Sequence, residues 1–85
     1  MKEAKFIKNI EGWRGDAKLY ALSESLEGYS HVIVSGIHVL GEPETYIFPA
    51  NEKGECLDWG ELDGSLKGDI DHKQVLENAG YTVVE

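Results

Sequence analysis

The chain has a single cysteine, Cys56, so no disulfide can form within it. It has one methionine, two prolines and eight cations against sixteen acids. No stretch approaches the ~20 apolar residues of a membrane-spanning helix. The opening run MKEAKFIKNI is charged and amphipathic, without the apolar core or small-residue cleavage site of a secretory signal. Together these shortages predict a soluble cytoplasmic protein that contacts no membrane. Catalytic signatures are missing too: there is neither a Walker-type phosphate loop nor a serine elbow. Cys56 as a nucleophile needs a histidine base beside it. His31, His38 and His72 are present, but their spacing does not join them to it, and a half-buried structural thiol is the simpler reading. The expectation is a protein that is not an enzyme and uses no cofactor and no metal.

The shortage of cations is uneven along the chain. Residues 1–40 hold five cations and five acids, whereas residues 41–85 hold three lysines against eleven acids. The whole net charge of −8 therefore lies in the second half. An extended acidic surface repels phosphate backbones, which argues against ordinary DNA or RNA binding.

What is present is enough apolar residue, 41%, for a folded domain across residues 1–85. A domain of this size buries only about 60–65% of its unfolded surface. Its stability is expected on the order of 5 kcal/mol. Pairing with a second copy would add to that, so a homo-oligomer is expected.

Strand signals recur. AKFIKNI (4–10) sets Phe6, Lys8 and Ile10 on one side and Ile7 and Asn9 on the other. AKLYALS (17–23) reads as a second strand. HVIVSGIHVL (31–40) is rich in β-branched residues and apolar on both faces, which places it centrally in a sheet. Gly36 within it marks a bulge or a close backbone approach. GEPE (41–44) reads as a turn, and TYIFPA (45–50) as a fourth strand ended by Pro49. CLDW (56–59) offers a short fifth strand, and GELDGSLKG (60–68) reads as irregular. Asp71 then caps a helix, with Gln74 three residues on as in a capping box and Gly80 past its end. YTVVE (81–85) forms a last strand. The predicted fold class is α+β: a small, mostly antiparallel sheet of four to six strands with one short C-terminal helix packed on it.

Several constellations carry candidate chemistry. In GWRG, Trp13 offers a stacking face and Arg14 a fork of five donors, between glycines that let a ligand approach the backbone. The competing reading makes Trp13 a cap on the core edge and Arg14 a partner of the many acids. Arg-Gly-Asp (14–16) as an integrin ligand would need an extracellular protein. DGSLKGDIDHKQ (63–74) resembles an EF-hand calcium loop, but Lys67 and Gln74 stand where oxygen ligands are required. Asp69, Asp71 and His72 form a possible metal cluster, although Asp71 is already committed as a helix cap. Trp59, flanked by acids, suits a protein interface.

The runs WRGDAKLYAL, ETYIFPA, DWGELDGS with DH, and AGYTVVE resemble a family of small bacteriophage- and prophage-encoded proteins. The resemblance implies an infected bacterial cytoplasm as the setting and carries over no site residues. In that setting a chain without catalytic groups is expected to counter host defence by binding. One form is a sponge that sequesters a nucleotide second messenger without cleaving it, using Trp13, Arg14, Lys18, Tyr20, Ser65 and Lys67. The other is an acidic inhibitor that imitates nucleic acid and occupies a basic host protein, with Asp58, Glu61 and Asp63 among its charges. The sequence leans narrowly to the sponge, and an accessory phage protein is the third reading.

Overall fold

The computed structural model describes residues 2–12, 15–57 and 62–84, without the side chains of residues 39 and 62–65. Six strands form one sheet: β1 (Glu3–Ile10), β2 (Asp16–Leu26), β3 (Tyr29–Val39), β4 (Glu42–Ala50), β5 (Leu62–Lys67) and β6 (Thr82–Val84). Among the described residues one helix, α1 (His72–Asn78), lies between β5 and β6. The spatial order is β5-β4-β3-β2-β1-β6. The first five strands form an antiparallel meander, and β6 returns beside β1 in parallel. The α+β reading and the central place of β3 are both as the sequence predicts.

β3 is apolar on both faces because both are covered. Partners across strands share a face. Tyr20 opposes Val32, and Val34 opposes Ile47, on the face that takes Val75 and Leu76 of α1 together with Tyr81. On the other face Leu19 opposes Ile33, and with Ala17 and Ala50 they form a second, smaller cluster joined by Ile10 and Cys56.

Four local expectations need correction. A bulge between Phe6 and Lys8 inverts the alternation of β1. Phe6 opposes Tyr20 on the helix face, while Ile10 opposes Ala17 on the other, and Ile7 is left 44% exposed. GEPE is not a turn, because only Leu40 and Gly41 turn and β4 begins at Glu42. Pro49 does not end β4, which runs to Ala50. Its carbonyl accepts from the Leu57 N–H at 2.9 Å, and the Pro43 carbonyl accepts from the Gly68 N–H at 2.9 Å. In a strand a residue's own N and C=O point the same way, so both prolines turn their missing donors away from β3 and no bond of that ladder is lost. Finally, the span read as irregular contains β5, paired with β4 through Glu44–Lys67 and Thr45–Leu66. Leu66 packs against the larger cluster, and this pairing overrides the weak strand propensity of glycine at an edge. Of CLDW, Cys56 makes an isolated bridge to Ala50, while Asp58 and Trp59 lie outside the described residues.

Gly36 is a close approach, with no bulge at its position. The Ile70 side chain sits where a Cβ would be, and a Cβ on Gly15 would strike the Gly36 carbonyl. The loop before α1 is pinned by Thr45, which is fully buried. Its hydroxyl donates to the Asp69 carbonyl (2.9 Å) and accepts from the Asp71 N–H (3.0 Å). Asp71 caps the helix by accepting from the Gln74 N–H. The reciprocal half of the capping box is replaced: Thr45 takes the Asp71 N–H, and the Gln74 amide turns to Asn78. At the other end the Gly80 N–H donates to Glu77 and the Tyr81 N–H to Leu76, a Schellman arrangement with Gly80 at φ +97°. Leu76 and Tyr81 supply its apolar contact in the core.

Candidate functional site

Of the residues nominated by sequence, those that are described do not converge. Trp13 and Arg14 lie outside the described residues. Ser65 lies within β5, and its side chain is likewise outside the description. Lys67 ends β5, exposed and opposite Glu44, whose carboxylate accepts from the Tyr46 hydroxyl. Lys18 is half-buried on the helix face, its ammonium 5.9 Å from the Phe6 ring centre. The register puts Lys18 and Lys67 on opposite faces with β3 and β4 between them. Tyr20 is 3% exposed and packs edge-on against Phe6. It is a core residue, and the stacking role expected of it is withdrawn: alternation along β2 points its ring into the larger cluster.

The other constellations are absorbed by structure. β5 occupies the first half of the segment that resembles a calcium loop. The Asp69 carboxylate accepts from the Ile70 N–H, Asp71 caps α1, and His72 Nε2 donates to the Asp16 carbonyl at 2.7 Å. No group of three metal-ligating side chains occurs among the described residues. Cys56 is half-buried against the second cluster. The Tyr81 hydroxyl reaches the Glu24 carbonyl at 2.6 Å, where β2 bulges away from β3. Burial, and secondarily the Glu24 carboxylate, pushes that phenol above its usual range.

Among the described residues, a recess lies at the end of the sheet that carries the β2–β3 hairpin. The β3–β4 ladder stops at His31–Ala50, although β3 begins two residues earlier, at Tyr29. Beyond Ala50 the chain leaves the sheet, opening a cleft of about 310 Å³. Tyr29, Ser30 and His31 form one wall, with Asn51, Glu52 and Leu57 on the other. Ser30 Oγ lies 3.0 Å from His31 Nδ1.

Asn51 holds the second wall rigid. Its Oδ1 accepts from the N–H groups of Lys53 and Glu55, and its Nδ2 donates to the Glu55 carboxylate. Its backbone N–H donates to the Glu55 carbonyl, and its carbonyl accepts from the Gly54 N–H. Gly54, at φ +86°, lies against Ile10 and Leu19, which seats the loop on the second cluster. An Asn followed three residues later by Gly was the available sequence signal for such a self-bonded turn.

No family model, curated protein or solved structure matches the chain. No helix among the described residues is long and apolar enough to cross a membrane.

Proposed function

We propose that the protein is a phage-encoded binding protein that counters host defence by occupying a basic surface on a host protein. One observation carries this reading: the way the strand order distributes charge. Lys2, Lys5 and Lys8 accompany β1, near one edge of the sheet. Residues 42–71, which supply β4, β5 and their connections, hold nine acids and two lysines. The sequence that supplies β4, β5 and their connections is therefore strongly anionic. Charges so arranged attract a cationic surface over about a Debye length, roughly 10 Å at 0.1 M salt.

The test is capture from a bacterial lysate with displacement. The captured protein should be basic and should be released by added salt or by duplex DNA. It should be lost when Glu42, Asp58 and Glu61 are all reversed to lysine in a variant that still folds by circular dichroism. Capture that survives the reversal, or resists DNA, refutes the proposal.

The nucleotide sponge is a second reading, favoured by the stack of Gly15, Gly36 and Ile70. That stack brings Gly15, which follows Trp13 and Arg14 in sequence, to the strand position over which Ile70, in the loop that follows Lys67, is packed. Its ligand set would be completed by a second copy of the chain. A nucleotide-dependent rise in melting temperature with the nucleotide recovered intact, abolished by Arg14→Ala, would select the sponge instead.

A further inference from the structure

We infer that the cleft between the start of β3 and the Asn51–Leu57 loop receives an arginine side chain from a basic protein partner. The inference deepens the proposed function and rests on it. The site is a notch built by the fold: β3 outruns β4 by two residues, and the departing chain is held away by the hydrogen bonds of Asn51. A wall fixed in this way needs little ordering when something binds.

The size of the notch limits its occupant. About 310 Å³ lies at the bottom of the range for small-molecule sites, which runs from roughly 300 to 1,000 Å³. One long side chain fits within that volume.

The lining selects the chemistry. Among the described residues neither lysine nor arginine lines the cleft, while Glu52 does. Glu27 at the hairpin tip and both Lys53 and Glu55 in the Asn51–Leu57 loop neighbour the lining in sequence without being part of it. An anion would meet the charge of Glu52 on entering. A guanidinium would be drawn by it, and its planar fork can engage a carboxylate through two parallel hydrogen bonds. Tyr29 also lines the cleft, its side chain half-buried against the larger cluster. Leu57, 53% exposed, and Ala50 supply apolar surface for the three methylenes of an arginine stem. That contact would also explain a leucine left largely in water at the lip. Lysine satisfies the charge but has no planar fork, so the cleft should favour arginine.

The experiment is an amide-shift NMR titration of the full chain with N-acetyl-arginine amide. N-acetyl-citrulline amide, close to isosteric and uncharged, and adenosine monophosphate serve as comparison probes. Arginine amide should shift resonances clustered at Tyr29–His31 and Asn51–Leu57, and citrulline amide should not. Glu52→Gln should weaken arginine binding about tenfold. Leu57→Ser, at an exposed position, should weaken it several-fold without unfolding the protein.

The inference is overturned if the shifts spread evenly over the acidic strands. It is equally overturned if citrulline binds as well as arginine, if Glu52→Gln has no effect, or if the monophosphate is the probe that fills the cleft. The two proposals fail separately. Host-protein capture that is lost on reversing Glu42, Asp58 and Glu61 but is indifferent to Glu52→Gln removes the cleft and keeps the function. Arginine binding in the cleft without any salt-sensitive host partner removes the function and leaves a guanidinium site.

Discussion

Replacing Thr45 by valine isolates the hydrogen bonds that hold the helix-leading loop to the sheet. The two side chains are close in volume, so little packing changes. What goes is the hydroxyl that donates to Asp69 and accepts from Asp71. Two ordinary hydrogen bonds contribute about 0.5–1.5 kcal/mol each, giving about 1–3 kcal/mol in total. Asp69 and Asp71 are themselves exposed, so water can partly replace the lost partner, and the middle of that range, about 2 kcal/mol, is expected. For a domain of this size that corresponds to a fall of about 8–16 °C in melting temperature. Thr45→Ser keeps the hydroxyl and loses one buried methyl, so it should cost about half as much. Urea unfolding followed by circular dichroism reads both variants, and an unchanged slope would show that only stability moved. If Thr45→Val is as stable as the parent, or Thr45→Ser is the worse of the two, the loop is not held as argued.

Two further predictions concern the same framework. Gly36→Ala should destabilise the protein by about 1–3 kcal/mol through overpacking against Ile70, and Ile70→Ala in the same chain should recover part of that loss; a double variant no better than the sum of the singles in thermal melts would refute the contact. Tyr81 has a folded-state pKa raised above 10.0, so the native state holds its proton where the unfolded chain begins to lose it. Its contribution is complete below pH 10 and declines as pH rises through the folded value. Tyr81→Phe should therefore show a shallower loss of stability than the parent between about pH 9 and pH 11, and equal slopes in urea titrations at those pH values would refute it.

Much of the sheet was legible because alternation and β-branching are local signals. HVIVSGIHVL marks a strand covered on both faces, and Asp71 and Gly80 mark the ends of a helix. The bulge at Ile7 was not legible. Nothing in AKFIKNI separates seven residues in phase from two groups out of phase, and only pairing with β2 decides it. β5 was hidden for a related reason, since its strand character comes from β4 and from Leu66 reaching the core. At the candidate site, Tyr20 was misread because an aromatic near a turn suits both a stacking platform and a core. The cleft left almost no trace in sequence. It arises where one strand outruns its neighbour, which is a difference in length between segments about twenty residues apart.

That mismatch also bears on how a chain of 85 residues can keep a recess at all. So small a domain has little interior to give up to a cavity. Here the recess lies beyond the end of the β3–β4 ladder, and both clusters are already closed by α1 on one face and by the Asn51–Leu57 loop on the other. The loop serves twice, covering the second cluster through Gly54 and forming a wall of the cleft through Asn51 and Glu52. Substitutions at exposed Glu52 or Leu57 should thus change binding while leaving stability within about 0.5 kcal/mol, the usual range for surface positions. Changes at Asn51 would disturb both, because its hydrogen bonds define the loop. The recess thus depends on the same loop as the core, while Glu52 and Leu57 at its lip can change without disturbing either cluster.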